Sequence, residues 1–132
     1  MTAPATQSRE PSKSTNSLQF VILAHDWPSS HWDILLQSGN RLMGWRGDSS
    51  GHFLNGGLIV QSDDHRLEYL DYEGAVSGNR GVVHRLDRGE LAWIETGPNR
   101  LAARISGKVW KGILRLNKET DGNWFATLDR AD

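Results

Sequence analysis

The sequence predicts an all-β fold, mainly antiparallel, with short helical turns and a disordered N-terminal tail. Three observations carry this expectation. Short apolar segments recur along the chain, turn residues separate them at regular spacing, and no segment keeps a 3.6-residue apolar period over a useful length. Fourteen glycines among 132 residues, set between short strands, favour a closed antiparallel barrel or a compact sandwich.

Residues 1–17, MTAPATQSREPSKSTNS, hold almost no apolar side chain after Met1 and are rich in Ser, Thr and Pro. Such a stretch buries too little surface to offset ordering entropy, so it reads as a disordered polar tail. Residues 18–132 then form one domain without internal repeats. LQFVILAH, from Leu18, reads as a buried strand. HWDILLQ and RLMGWR flank the turn Ser38-Gly39-Asn40 and form a hairpin. GDSSGHFLNGG is a loop leading into the strand LIVQS, and it lacks the lysine and helix context of a phosphate-cradling loop. HRLEYL reads as a short helical turn. GVVHRLD, ELAWIET, RLAARIS, KVWKGILRLN and NWFATLD follow as strands, separated by RG, GPN, SG and DG turn signals.

Composition excludes several classes of function. Cysteine is absent, which rules out a disulfide framework, a thiolate metal site and a cysteine nucleophile. Any metal must be held by histidine and carboxylate. A net charge of −1 argues against a strongly basic nucleic-acid coat and leaves room for local basic patches. No apolar run approaches the roughly 20 residues of a membrane span. The apolar run LQFVILA breaks into His25-Asp26 in place of a small-residue cleavage site, so a cytoplasmic monomer with no membrane contact is expected.

The stretch HDWPSSHWD, residues 25–33, packs two histidines and two aspartates together. Strand alternation puts His31, Asp33 and Leu35 on one face, with Trp32, Ile34 and Leu36 on the other. Residues two apart on a strand have Cα atoms roughly 6.6 Å apart, so their side chains can converge on one ion. His25 ends the preceding strand ahead of a turn containing Pro28, and folding back brings it to the same edge. Two imidazoles and one carboxylate, with open positions for water and substrate, suit Mn²⁺, Zn²⁺ or Fe²⁺ at the mouth of a barrel. An isolated H-x-D also recurs by chance among solvated strand residues. Downstream, SDDHRLEYLDYEG adds His65, Glu68 and Tyr69; by itself it reads as a polar loop closed by Gly74, with Tyr69 and Tyr72 packing as core.

Together these stretches resemble a known module. The combination H-D-x-x-x-x-H-x-D, a downstream D-H-x-L-E-Y-x-D-Y-E-G and a later G-K-x-x-K-G-x-L-x-L is similar to the 3′-phosphoesterase module of bacterial DNA ligase D, over residues 18–129. The resemblance implies a small closed β-barrel. It implies a metal-dependent enzyme that trims DNA 3′ ends in non-homologous end joining, removing a 3′-terminal ribonucleoside and a 3′-phosphate, with Mn²⁺ as the favoured ion. It implies that His25, His31 and Asp33 hold the metal, that His65 reaches the scissile phosphate and that Tyr69 lies beside it. DNA 3′ ends are then the partner, with a separate ligase or polymerase for the later steps.

The chain departs from the family pattern at two arginines that contact phosphate: Leu35 stands at one position and Gly57 at the other. A guanidinium is a strong, directional phosphate ligand, so weakened activity is expected. Arg46, directly after Trp45, is a substitute for the family's lysine, and His84 is a candidate for the rim of the site. The alternative function is a non-catalytic module that binds DNA ends or a repair partner. A third reading, an iron oxygenase, would use His31, Asp33 and His65 as a facial triad. His52 reads as a solvated loop residue. Of six tryptophans most should be core, with Trp27, beside Pro28, the best candidate for stacking on a single strand. Arg80, Arg85 and Arg88 read as a solvated exterior.

Overall fold

A computed structural model describes residues 17–131. The disordered tail expected over 1–17 lies outside the described residues, apart from Ser17. Nine strands form one antiparallel sheet: β1 (Leu18–His25), β2 (His31–Ser38), β3 (Arg41–Asp48), β4 (Gly57–Arg66), β5 (Gly74–Ala75), β6 (Val82–Thr96), β7 (Arg100–Gly107), β8 (Lys111–Lys118) and β9 (Trp124–Arg130). Eight of them run β1-β2-β3-β4-β9-β8-β7-β6 around a ring that the β1–β6 pairing closes, and the two-residue β5 pairs with the start of β6. This is the closed barrel. Closure leaves none of the eight strands with a free edge. Among the described residues two 3₁₀ turns, His52–Asn55 and Leu67–Leu70, are the helical pieces, and no helix there is long and apolar enough to cross a membrane.

One boundary differs from expectation. GVVHRLD and ELAWIET are a single strand of 15 residues, not two strands broken at Arg88-Gly89. Gly89 is extended and pairs with Phe20 on one side and Gly107 on the other. A Cβ there would lie 2.0 Å from the Ser106 carbonyl oxygen, so the glycine serves close backbone approach and makes no turn.

The barrel interior follows from period-2 alternation. Phe20 and Ile22 of β1, Ile34 and Leu36 of β2 and Trp45 of β3 point inward, where they meet Leu101, Ile105, Leu114, Leu116 and Trp124 from the far wall. Trp45 meets Trp124 edge-on at 5.5 Å between ring centres. The intervening residues of the same strands build a second, smaller core on the outside of the barrel: Val21, Leu23, Leu35 and Leu42, with Val83, lie beneath Leu67, Tyr69, Leu70 and Val76. Segment 67–76 is thus a strap laid over the outer face of β1–β3. Arg88 fastens it. Its guanidinium donates to the Leu70 carbonyl at 3.0 Å, pairs with Asp71, and donates to Gln19 Oε1 at 2.8 and 3.0 Å.

A buried carboxylate closes the β7–β8 turn. Asp87, 5% exposed, accepts backbone N–H bonds from Arg88, Lys108, Val109 and Trp110 at 2.8–3.1 Å. Four donors satisfy a charge that would otherwise be costly to bury.

Candidate metal centre

β1 and β2 form a hairpin in which His25 pairs with His31 and Leu23 with Asp33. That register sets His25, His31 and Asp33 side by side on the outer face, the face of the second core. The site therefore lies on the outer face of the wall, at the end of the barrel where β1 turns into β2. The reason is the strap: it covers β1–β3 from outside, so both faces of these strands are buried and the polar cluster sits at the strap's edge.

The donor atoms converge. One ligand atom from each of His25, His31 and Asp33 falls within 4.8 Å of the others, and no other group of three such donors meets among the described residues. His31 Nε2 is 3.3 Å from Asp33 Oδ1, and His25 Nδ1 is 3.7 Å from Asp33 Oδ2. His31 and Asp33 are 6% and 2% exposed. The far nitrogen of each imidazole is committed to a carbonyl: His25 Nε2–H donates to the Arg80 carbonyl at 2.8 Å, and His31 Nδ1–H to the Ser29 carbonyl at 2.9 Å. A carbonyl only accepts, so these bonds select the tautomers that aim the lone pairs of His25 Nδ1 and His31 Nε2 at the carboxylate. His31 Nε2 and Asp33 Oδ1 are both buried without a hydrogen-bond partner. Bonds of about 2.1 Å would hold two donors about 3.0–3.4 Å apart in octahedral or tetrahedral coordination, close to the 3.3 and 3.7 Å between each imidazole and the carboxylate. These residues fit a divalent cation.

Around the centre lies an open cavity of about 360 Å³, lined among others by His25, Trp27, Asp33, Arg46, His65 and Tyr69. Arg46 pairs with Asp33 across β2 and β3, which brings its Nε to 3.9 Å from Asp33 Oδ1. His65, at the end of β4, donates from Nδ1 to the Asp63 carbonyl at 2.9 Å, and its ring meets Tyr69 edge-on at 5.4 Å. Tyr69 in turn meets Tyr72 at 5.9 Å. Five of the expected site residues, His25, Asp33, Arg46, His65 and Tyr69, thus line one cavity, with His31 against the first two. His84 does not join them: it pairs with Ala24 on the other face of the sheet, exposed, with Glu73 Oε1 at 4.0 Å. The triad of His31, Asp33 and His65 that an iron oxygenase would need is not assembled either, since His65 stands outside the donor group.

Sequence reasoning missed two arginines of the cavity. Arg66 and Arg80 both line it; Arg80 had the look of a solvated exterior residue. Its role depends on a contact 55 residues away, the carbonyl bond to His25, for which no local pattern is a signal. The two positions where arginines are absent also resolve differently. Leu35 is fully buried in the second core. Gly57 opens β4 about 26 Å along the strand from His65 and packs on Phe53, where a Cβ would lie 2.8 Å from Phe53 Cα. An arginine at position 57 would not reach this cavity.

The fold and these side chains define a β-barrel with two histidines and one carboxylate grouped on its outer wall. No protein-family model matches the chain. It is 35% identical over 140 residues to the Multifunctional non-homologous end joining protein LigD of Pseudomonas aeruginosa, an alignment covering 92% of this chain and 16% of that protein. The chain is thus similar to one stretch of a much longer relative.

Proposed function

We propose that this protein is a divalent-cation-dependent phosphoesterase, with Mn²⁺ as its ion, that removes a 3′-phosphate or a 3′-ribonucleoside from DNA ends in break repair. One observation carries the reading: two histidine nitrogens and a carboxylate oxygen lie within 4.8 Å of one another beside a cavity that also holds His65 and three arginines. The likeness to LigD, an end-joining protein by name, supports the link to repair.

His25, His31 and Asp33 hold the cation, which when bound supplies a Lewis acid for a phosphoryl oxygen. Arg46, Arg66 and Arg80 attract and orient the phosphate, and their charge offsets that of Asp33, Asp63 and Asp64 in the same wall. His65 has Nδ1–H tied to a carbonyl, so Nε2 is the free atom. Carrying a proton at Nε2, it donates that proton to the leaving sugar oxygen, the primer O3′ when phosphate is released or the O5′ of a terminal ribonucleoside, while water oxygen bonds to phosphorus, the P–O bond to that sugar breaks and the water's proton passes to solvent. Tyr69 holds the His65 ring edge-on and limits its rotation. With Leu35 in place of an arginine, phosphate binding rests on Arg46, Arg66 and Arg80, and turnover is reduced. The buried, apolar Leu35 is also the observation that favours the second reading, a non-catalytic module for DNA ends or a repair partner.

The test is release of inorganic phosphate from a 3′-phosphorylated DNA primer. Mn²⁺ should support release and His31→Ala should abolish it. Release that survives chelation, or an unchanged His31→Ala protein, would overturn the catalytic assignment. Tight end binding without release would select the second reading.

A further inference from the structure

Six tryptophans are spread over the barrel, and five are used by the fold. Trp32 meets Phe53 and Trp110, Trp45 meets Trp124, and Trp93 donates its indole N–H to the Gln37 carbonyl at 3.0 Å. Among the described residues Trp27 alone has neither a ring partner nor an indole hydrogen bond. It is 43% exposed and lines the cavity of the cation centre. A large apolar ring left open to water beside a polar site needs a reason, since indoles ordinarily find packing and a partner for the N–H.

The backbone beneath this ring is held firmly. Val82 N–H donates to Asp26 Oδ1 at 2.7 Å, and Asp26 N–H to the Val82 carbonyl at 3.4 Å. Gly81, at φ 79°, lets the chain pass so close that a Cβ on it would lie 2.6 Å from Trp27 Cβ. The indole stem is therefore fixed against the β6 entry. Trp27 stands two positions, at most about 7 Å of chain, from His25, with only Asp26 between.

Resting on the phosphoesterase reading, we propose that Trp27 is the platform on which the terminal base of a DNA 3′ end stacks while its phosphate lies at the cation centre. A ligand that carries an anion and, one short linker away, a flat aromatic face matches this arrangement of guanidiniums, cation ligands and open indole. Stacking accepts any base, so the platform contributes affinity for the end without sequence preference.

The test compares two single-stranded, 3′-phosphorylated oligonucleotides that differ only in whether the terminal residue carries a base or is abasic. Binding is read by fluorescence anisotropy with Mn²⁺ present, for wild type, Trp27→Ala and Trp27→Phe, and phosphate release is read in parallel. Wild type should bind the base-bearing end about tenfold more tightly. Trp27→Ala should erase that difference at unchanged affinity for the abasic end, and Trp27→Phe should keep most of it. Equal weakening of both oligonucleotides by Trp27→Ala, or a wild type that does not distinguish them, would overturn the platform while phosphate release kept the phosphoesterase reading standing. A wild type that neither binds nor hydrolyses either end would remove both.

Discussion

His31 Nε2 faces Asp33 Oδ1 across 3.3 Å, and with the other nitrogen of His31 bonded to Ser29 both facing atoms are acceptors. Each buried acceptor left unpaired costs about 1–3 kcal/mol. A cation between them removes that cost, so binding and stability are linked. Mn²⁺ at about 100 times its Kd should stabilise the protein by about 2.7 kcal/mol, read as a rise in melting temperature that EDTA reverses. His31→Ala should lose the rise and bind Mn²⁺ more than ~100-fold more weakly by calorimetry, a larger loss than removal of a supporting hydrogen bond gives. An identical Mn²⁺ response in the variant would refute the ligand assignment.

Arg46 sits beside the carboxylate and not between the ligands. Arg46→Ala should lower kcat/KM on a 3′-phosphorylated primer by roughly 10²-fold while leaving Mn²⁺ affinity equal or slightly higher, because a cation near the ion is gone. Arg46→Lys should retain part of the rate. Full activity in Arg46→Ala would take this side chain out of the substrate site.

Asp87 is a structural carboxylate. Asp87→Asn puts an amide N–H₂ among four backbone donors and discards charge-assisted bonds, for an expected loss of about 2–4 kcal/mol in urea unfolding. Mn²⁺ affinity should not change, since the site is on another part of the wall. Wild-type stability in the variant would contradict the bonding described.

At Gly81 an alanine would hold a positive φ and meet Asp26 Oδ1 at 2.3 Å. Gly81→Ala should therefore cost about 1–3 kcal/mol. Thermal melts report the cost, and a neutral effect would show that the 26–27 segment yields freely.

The Ser50 hydroxyl and amide hold the Asp48 carboxyl below the usual carboxylate range. A depressed folded pKa gives stability that is present above the unfolded pKa and lost as pH falls through the folded one. Ser50→Ala should move the Asp48 titration upward in a carboxyl-carbon NMR experiment, and no movement would assign the shift to another partner.

Much of this was readable along the chain. The alternation of HWDILLQ separates His31, Asp33 and Leu35 from Trp32, Ile34 and Leu36, and the structure keeps that division. Which side faced the interior was not readable, because Val21, Leu23 and Leu35 are as apolar as Phe20, Ile22 and Ile34. Only the strap over 67–76 explains an apolar outer face, and its fastening by Arg88 to Gln19 spans 69 residues. Arg80 was missed for the same reason: a backbone carbonyl that orients His25 leaves no mark on residue type. The β6 join at Gly89 was misread because glycine marks both a turn and a close approach.

The two sides of β1 and β2 also divide the consequences of substitution by parity. Even-numbered positions, Phe20, Ile22, Trp32, Ile34 and Leu36, hold the barrel together. Odd-numbered ones, His25, His31, Asp33 and Leu35, lie on the outer face with the strap. Changes at every second position can therefore alter the chemistry of the outer face while the barrel interior is left intact.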